Sequence, residues 1–569
     1  MPATEHFIPG KDASLEASIA TLQAKLEAIG FHIEERSWLN PVEGVWSVHI
    51  RDRDCPILFT NGKGATELAA RASALGEYFE RLSTNYFWTH FYLGETIATR
   101  AYVHHPDERW FDVGDVWPNG LLTPALQAHY NPDDGVRADQ LIDLNSGNIE
   151  RGICAIPYQR LADGETAYFP VNLIGNLFVS NGMSAGNTLM EARTQALAEI
   201  FERHIKFRII EEGICLPDVP EAVINRYPKI AAGIRGLREA GFGIVVKDAS
   251  LGGKYPVMNV TLLHPRDQGC FASFGAHPRF EVALERALTE LLQGRALDTL
   301  EGFPAPGFDQ SEIADPQNLE IHFVDSSGVI SWQFLRDTPD FDFVDWNFGT
   351  TTEEDYCWSV ETLHAEGREL YIADFTHLGV YACRILVPGV SEIYPVEELE
   401  FENNSVGNLI RPALARLPEL SDDECAELLD LIDDLELADD RLVTVLIGLA
   451  PDADSAWTDI RVGEIKLLLA LALGDDDAIL EGCTWIAQYG QRSEARLKVY
   501  RCIADLVRLN DPNPFESSLA LMYGRETLTQ AFALFNQDER FFGLTPLGKN
   551  FEGSAMHSRL LEAYLKVRG

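Results

Sequence analysis

Pairs of glutamates three residues apart, each pair followed by arginine, are the feature of this sequence best suited to chemistry. The two groups are Glu77-x-x-Glu80-Arg81 and Glu199-x-x-Glu202-Arg203. On a helix, residues three apart share one face. Taken singly, such a group is most simply explained as a solvated ion-paired surface that contributes ~0.2–0.5 kcal/mol per pair. Chemistry requires the two groups to meet in space.

An internal repeat suggests that they do meet. Residues 64–81 (GATELAARASALGEYFER) align without a gap with residues 186–203 (GNTLMEARTQALAEIFER), and ten of the eighteen positions are identical. Residues 283–293 repeat the same spacing of alanine, leucine and glutamate a third time. The polar side chains in or next to this third copy are Arg286, Glu290, Gln293 and Arg295. Three aligned copies predict a fold that repeats itself and brings three helices together.

Carboxylates gathered at one place require a cation to balance their charge. The predicted metal ligands are Glu77, Glu80, Glu199, Glu202 and Glu290. A set of oxygen ligands without histidine or cysteine favours magnesium or manganese over calcium. Because magnesium dehydrates reluctantly, it usually divides its ligands between protein carboxylates and substrate phosphates. The pattern therefore predicts a site for nucleotide phosphates.

Arginines and glycine-rich turns beside the glutamates also suit a phosphate ligand. The guanidinium groups of Arg203 and Arg286 can each contact two phosphate oxygens. The first two repeats open with glycine-rich turns at 61–64 and 181–187, where backbone N–H groups can approach an anion. Neither turn is a G-x-x-x-x-G-K-[ST] phosphate loop. The candidate catalytic residues of such a site are Glu77, Glu202, Arg203 and Arg286.

The three segments resemble those of the YcaO family of ATP-dependent amide-activating proteins. The first fits the family pattern S-x-x-x-E-x-x-E-R at 73–81, and the second fits E-x-x-E-R at 199–203. The third fits R-A-x-x-E-x-x-Q-x-R at 286–295, and the tripeptides at 62–64 and 387–389 also fit. The three helices together are specific, whereas any one alone is not.

The resemblance implies that the protein binds ATP and magnesium. It also implies contacts between ATP and residues that the spacing of the glutamates does not suggest. The nucleotide-binding residues that it implies are Lys11, Ser18, Asn187, Glu191, Arg203 and Arg286. On the residues alone, Ser18 fits a helix-capping region better. A solvated side chain also explains Lys11, which follows Pro9 and Gly10.

The family resemblance also implies an activity. In YcaO proteins, ATP phosphorylates a peptide amide oxygen, and a nucleophile then yields an azoline, an amidine or a thioamide. The ending YLKVRG lacks the proline-rich tail that azoline-forming members often have. The whole chain resembles members that assist a radical-SAM methylthiotransferase in β-methylthiolation of an aspartate in a small-subunit ribosomal protein. The sequence has no C-x-x-x-C-x-x-C motif of its own for sulfur insertion.

Two alternative hypotheses stay open. The first is a peptide cyclodehydratase or thioamide-forming enzyme, which a neighbouring precursor-peptide gene would favour. The second is a non-catalytic nucleotide-sensing protein whose C-terminal region binds a partner, which ATP binding without turnover would favour. A homodimer is implied by the resemblance only.

The pattern of helices and strands that must position the glutamates predicts an α+β domain over residues 1–400. Apolar stretches of strand character lie at 46–50, 56–60, 243–248 and 256–263, and helical periodicity is clear at 65–83, 188–209 and 280–294. After Pro395 the strand signals fade. The segments 462–473, 477–489, 492–508 and 516–535 have helix-hairpin lengths. We predict that residues 401–569 form an all-α, tetratricopeptide-like domain, for which a plain helical cap is an equally good explanation.

The bulk composition excludes several classes of function. The formal net charge is -42, so an acidic surface disfavours direct binding to nucleic acid or to an anionic membrane and leaves a basic protein partner open. The nine cysteines form no C-x-x-C pair, and Cys154 and Cys383 have apolar neighbours typical of core residues. The first residues have no signal-peptide pattern, so we expect a cytoplasmic protein.

Overall fold

Three antiparallel sheets form the framework that carries the repeated helices. The computed structural model describes residues 5–490, 492–509 and 511–568. The strand orders are β1-β2-β3, β4-β5-β11-β12-β7 with β6 paired to β5, and β10-β9-β8. The strands are β1 (Ile33–Val42), β2 (Val45–Asp52), β3 (Phe59–Gly64), β4 (Arg109–Phe111), β5 (Ile153–Arg160), β6 (Thr166–Pro170), β7 (Met183–Gly186), β8 (Gly243–Asp248), β9 (Val257–Leu263), β10 (Cys270–Ala276), β11 (Tyr371–Phe375) and β12 (Tyr381–Leu386).

Helices cover these sheets and make up most of the chain after the last strand. Those before residue 400 are α1 (Leu15–Ile29), α2 (Glu67–Ser83), α3 (Glu95–Ala98), α4 (Pro124–Tyr130), α5 (Val171–Leu173), α6 (Leu189–Glu212), α7 (Glu221–Ile224), α8 (Pro228–Glu239), α9 (Phe280–Leu291), α10 (Gln310–Ile313), α11 (Pro316–Val324) and α12 (Thr352–Ala365). Those after it are α13 (Gly407–Leu414), α14 (Asp422–Asp434), α15 (Val443–Ile447), α16 (Val462–Leu473), α17 (Asp476–Tyr489), α18 (Glu494–Leu509), α19 (Glu516–Tyr523), α20 (Arg525–Phe535) and α21 (Ala555–Arg568). In the described part of the chain, none of these helices has the length and apolar character needed to cross a bilayer.

The internal repeat is a strand followed directly by a helix. It occurs as β3–α2, β7–α6 and β10–α9, one copy on each sheet. The first two helices begin in the same way, because the hydroxyls of Thr66 and Thr188 accept hydrogen bonds from the N–H groups of Ala69 and Glu191, both at 3.1 Å. Such caps satisfy backbone donors that the helix leaves free. The repeat predicted from sequence is therefore a structural unit.

The first and third copies share contacts at a constant offset of 213 residues. Thr60 donates to the carbonyl oxygen of Ala74 at 2.8 Å, and Ser273 donates to that of Ala287 at 2.9 Å. Gly62 and Gly275 lie where a β-carbon would overlap the backbone of the following helix. Each helix thus lies directly on its own strand, which fixes the direction of the glutamates one turn further along.

Most predicted elements of the first 400 residues are confirmed. Strands β2, β8 and β9 and helices α2, α6 and α9 occupy the predicted segments within a few residues. The interpretation of 56–60 as a strand is wrong, because residues 56–58 form a turn and β3 begins at Phe59. The apolar side chain of Leu58 is buried below that turn rather than in a strand.

Strand β12 ends at Leu386, and the described residues after it form no further strand of a sheet, as the sequence predicts. Helices α16, α17 and α18 lie close to three of the four predicted segments. The fourth segment, 516–535, divides into α19 and α20 because Gly524 adopts a φ of 84° that interrupts the helix. The C-terminal region is helical, and its tetratricopeptide-like character stays a prediction.

The last helix, α21, leaves the C-terminal region and joins the core around the first sheet. Leu560 and Tyr564 are fully buried there together with Trp88 and Phe31. The indole of Trp88 donates to the carbonyl oxygen of Leu560 at 3.2 Å, and the Tyr564 hydroxyl donates to that of Val103 at 2.5 Å. The domain boundary at residue 400 stays a prediction, and α21 packs across it.

The attachment of α21 is expected to weaken in acid through His557. This buried imidazole accepts a hydrogen bond from the Ala450 N–H at Nδ1, 3.1 Å, so its Nε2 donates to the carbonyl oxygen of Tyr92, 2.8 Å. Burial lowers the pKa of His557 to about 4 from its usual 6.5. As the pH falls, the imidazole of His557 takes up a proton in the unfolded chain before it does so in the folded protein. The free energy of unfolding therefore keeps this contribution above pH 6.5 and falls by about 3 kcal/mol as the pH drops to 4.

Thermal unfolding between pH 7.5 and 4.5 measures this contribution. The variant His557→Gln, which cannot titrate, should be less stable at pH 7.5 but should lose less stability on acidification than the unaltered protein. His364→Gln on the exposed end of α12 should keep the unaltered profile. Identical acid profiles for His557→Gln and the unaltered chain would contradict the assignment.

Candidate nucleotide and metal site

All eleven residues predicted to bind metal or nucleotide line one cavity of about 380 Å³. It lies among the N-terminal segment and helices α1, α2, α6 and α9. The residues are Lys11, Ser18, Glu77, Glu80, Asn187, Glu191, Glu199, Glu202, Arg203, Arg286 and Glu290. The expectation that distant segments gather at one place is therefore met, while the roles of the individual residues stay predictions.

The N-terminal segment closes one side of the cavity through Glu191. The Lys11 ammonium lies 3.1 Å from Glu191 Oε1, and Asn187 donates to Glu191 Oε2 at 2.9 Å. Ser18 in turn donates to Asn187 Oδ1 at 2.8 Å. The capping interpretation of Ser18 is wrong, because Ser14 caps α1 and Ser18 lies one turn further along the helix. Lys11 is paired with a carboxylate that is only 3% exposed, rather than being simply solvated.

Four of the five predicted metal ligands contact basic side chains. Glu77 pairs with Arg81, Glu290 pairs with Lys63, and Glu199 pairs with Arg203 at 2.7 Å. Glu202 accepts a hydrogen bond from the Ala276 N–H at 3.2 Å and lies 3.5 Å from the Arg286 guanidinium. Among the described residues, no three acidic, histidine or cysteine side chains are grouped as a metal cage.

Glu80 differs from the other four because no described basic side chain lies within ion-pair distance of it. Burial, and then the negative charges of Glu199 and Glu77, raise the pKa of Glu80 well above its usual range. In the same cavity wall, the Nε atoms of Arg81 and Arg286 are buried without a hydrogen-bond partner. Crowded carboxylates with free guanidinium donors beside them fit a divalent cation together with an anionic ligand.

Lys63 is a residue of the site that the sequence argument did not assign a role. It lies at the end of β3 between two glycines, and its ammonium contacts Glu290. Burial, together with the nearby charge of Arg286, lowers the pKa of Lys63 to about 8. The segment at 61–64 is the end of strand β3 rather than the glycine-rich turn expected from the sequence. The position of Lys63 between two glycines, directly before a repeated acidic helix, was the available signal.

Comparison with known proteins identifies the family. The family model of the YcaO cyclodehydratase, described as ATP- and Mg²⁺-binding, matches residues 61–391. The chain belongs to the YcaO family. The model of the YcaO cyclodehydratase C-terminal domain matches residues 407–569. ATP and Mg²⁺ are therefore the cofactors of this domain, and the resemblance seen in the three helices is confirmed.

Curated relatives span nearly the whole chain. The ribosomal protein S12 methylthiotransferase accessory factor YcaO of Escherichia coli is 50% identical over 99% of this chain and 98% of its own length. An uncharacterized protein of Haemophilus influenzae is 48% identical over the same shares. Among solved structures, YcaO from Methanopyrus kandleri bound with AMPPCP and Mg²⁺ is 20% identical, covering 66% of this chain and 91% of its own, with a TM-score of 0.42.

Proposed function

We propose that this YcaO protein uses ATP and Mg²⁺ to activate an amide oxygen, as an accessory factor in methylthiolation of an aspartate in ribosomal protein S12. The observation that carries the activation step is the shared cavity in which buried, charge-crowded Glu80 lies beside free arginine donors. The name of the Escherichia coli relative supports the accessory role. The absence of a C-x-x-x-C-x-x-C motif in the sequence supports a separate radical-SAM partner for sulfur insertion.

The carboxylates of the three repeated helices would hold the magnesium ions. Their predicted positions are Glu77, Glu80, Glu199, Glu202 and Glu290. Bound Mg²⁺ neutralises charge on the phosphate oxygens of ATP and makes the γ-phosphorus easier to attack. For this to occur, the arginines and Lys63 must exchange their glutamate contacts for phosphate oxygens, which keeps the total charge of the cavity balanced.

The remaining residues would position the nucleotide and stabilise developing charge. Arg203 lies on the second repeated helix and Arg286 on the third, and both line the same cavity, so their guanidinium groups are suited to the γ-phosphate. Asn187, Glu191, Ser18 and Lys11 form a connected hydrogen-bonded group that fixes the N-terminal segment over the cavity. The acceptor amide oxygen forms a bond to the γ-phosphorus while the bond to the bridging oxygen breaks, and ADP leaves with that electron pair.

Cells that lack the gene for this chain should contain less methylthiolated S12. Mass spectrometry of S12 from ribosomes measures the modified fraction directly. The unaltered gene should restore the modification, and Glu202→Gln should not. If modification is unchanged by loss of the gene, the accessory role is rejected. Full restoration by Glu202→Gln would instead favour a non-catalytic, nucleotide-sensing protein.

A further inference from the structure

A second cavity of about 580 Å³ opens beside the nucleotide cavity. The two share part of one wall, formed by Asn61, Glu77, Arg81, Glu290 and Gln293. None of the residues predicted to contact the nucleotide lines the second cavity. Two of the predicted metal ligands, Glu77 and Glu290, line both cavities. A molecule bound there would therefore lie next to the metal-binding carboxylates without occupying the nucleotide's place.

The floor of the second cavity is one face of the first sheet. Two registered rows cross its three strands, Ser37–His49–Asn61 and Leu39–Ser47–Lys63. All of these residues line the second cavity except Lys63, which lines the nucleotide cavity. Residues paired in this way project from the same face of a sheet. His49 Nδ1 lies 2.8 Å from Asn61 Oδ1, and the Gly294 N–H donates to Ser47 at 3.3 Å. Neutral donors and acceptors of this kind suit the amide groups of a peptide.

Arg295 also lines the second cavity, and its charge is incompletely compensated. Its guanidinium donates to the backbone carbonyl oxygen of Asp325 at 3.2 Å. Its guanidinium lies 4.5 Å from the Phe271 ring centroid. Among the described residues, its carboxylate neighbour within ion-pair distance is Asp325, at 3.8 Å and 48% exposed. Burial lowers the pKa of Arg295. By contrast, Lys63 contacts Glu290 and Arg81 contacts Glu77.

We propose that the second cavity binds the peptide segment whose amide oxygen is activated, and that Arg295 pairs with a carboxylate side chain of that segment. The inference rests on the proposed function, since it needs an acceptor beside the γ-phosphate. It assigns a role to the last arginine of the third repeated segment, which does not line the nucleotide cavity. A carboxylate at Arg295 would place the neighbouring peptide backbone over Glu290 and Gln293, at the wall common to both cavities.

Arg295→Gln should impair the acceptor reaction without impairing nucleotide binding. In cells lacking the gene and supplied with this variant at low expression, the methylthiolated fraction of S12 should fall about tenfold or more, because truncating a partly buried charge partner is costly. Arg295→Lys keeps the charge and should fall between Arg295→Gln and the unaltered chain. The purified full chain carrying Arg295→Gln should bind a non-hydrolysable ATP analogue with Mg²⁺ within about twofold of the unaltered affinity.

Two further variants separate an acceptor defect from a general one. Ser37→Trp places a large ring at an exposed position of β1 that lines the second cavity only, and should reproduce the loss of modification. Arg266→Gln, on the exposed β9–β10 turn, is the matched arginine control and should have no effect.

The outcomes distinguish the two proposals. Normal S12 modification with both Arg295→Gln and Ser37→Trp overturns the acceptor site while leaving the proposed function intact. Loss of analogue binding by Arg295→Gln also overturns it, since the residue would then serve the nucleotide cavity. If the unaltered chain itself fails to restore modification, the proposed function fails, and the acceptor site fails with it.

Discussion

Replacing Glu202 by glutamine is expected to reduce Mg²⁺-dependent ATP hydrolysis about a hundredfold or more. Glu202 lies between the Ala276 N–H and the Arg286 guanidinium, and its side chain is only 15% exposed. Glutamine keeps the size and one hydrogen-bond acceptor but removes the negative charge that a divalent ion requires. Because loss of a residue that merely orients a metal ligand costs about 10–100-fold, loss of a ligand should cost at least as much.

Phosphate release at saturating Mg²⁺ and ATP is the direct measurement for this variant and for Glu77→Gln, which lies on the first repeated helix. The matched control is Glu67→Gln, since Glu67 is on the same helix as Glu77 but is 52% exposed and, among the described residues, pairs with Arg71. The control should hydrolyse ATP at the unaltered rate. Unaltered rates for Glu77→Gln and Glu202→Gln together would show that these glutamates do not hold the catalytic metal.

The convergence of the three helices could be predicted because the repeat carries both its backbone and its chemistry in local sequence. In the first two copies, helical periodicity, a threonine cap and the E-x-x-E spacing all lie within eighteen residues. The third copy keeps the periodicity and Glu290 but has Gln293 in place of the second glutamate and, among the described residues, no side-chain cap. Each copy therefore specifies its own helix. Three such units that bury the same face must turn their glutamates toward a common space. Ligand type favoured magnesium or manganese, and the family comparison confirms magnesium.

What the sequence could not supply are the contacts between residues far apart along the chain. The central sheet places β11 and β12 between β5 and β7, although nearly two hundred residues separate β7 from β11. Such pairing depends on which apolar faces remain uncovered after the local units form. The periodicity of the sequence does not predict which strands pair. The same is true of α21, whose Tyr564 enters the core around Trp88 only after the whole C-terminal region has been made.

The cations of the site were also harder to predict than its anions. A repeated glutamate is visible as a match between copies, whereas Lys63 occurs once and has no counterpart in the second repeat. Its contact with Glu290 depends on the packing of β3 against α9. Single residues that reach a site across two elements give no periodic signal, which is why Lys63 was assigned no role and Arg295 was noted only as a nearby charge.

Gly62→Ala is expected to destabilise the protein by about 3 kcal/mol or more. A β-carbon at this position would overlap the carbonyl oxygen of Ala70 and lie 2.5 Å from the Ala74 nitrogen, both in the backbone of α2. Backbone atoms in the middle of a helix cannot move aside as a flexible side chain can, so strand and helix must separate. Because α2 carries Glu77 and Glu80, ATP hydrolysis should fall together with the urea midpoint of unfolding.

Gly76→Ala, in the same helix α2, is expected to stabilise the protein. Among the described residues, a β-carbon built at Gly76 has no neighbour within 4 Å apart from its own helix backbone and its two chain neighbours. Its interior position in α2 means that alanine should raise stability by about 0.5–1 kcal/mol through helix propensity. Equal urea midpoints for the two variants would contradict the argument, since it would mean that β3 and α2 are not in the close contact that the repeat requires. A lower midpoint for Gly62→Ala alone would establish that this contact, formed again by Gly275 and α9, holds the acidic helices in the positions that the site needs.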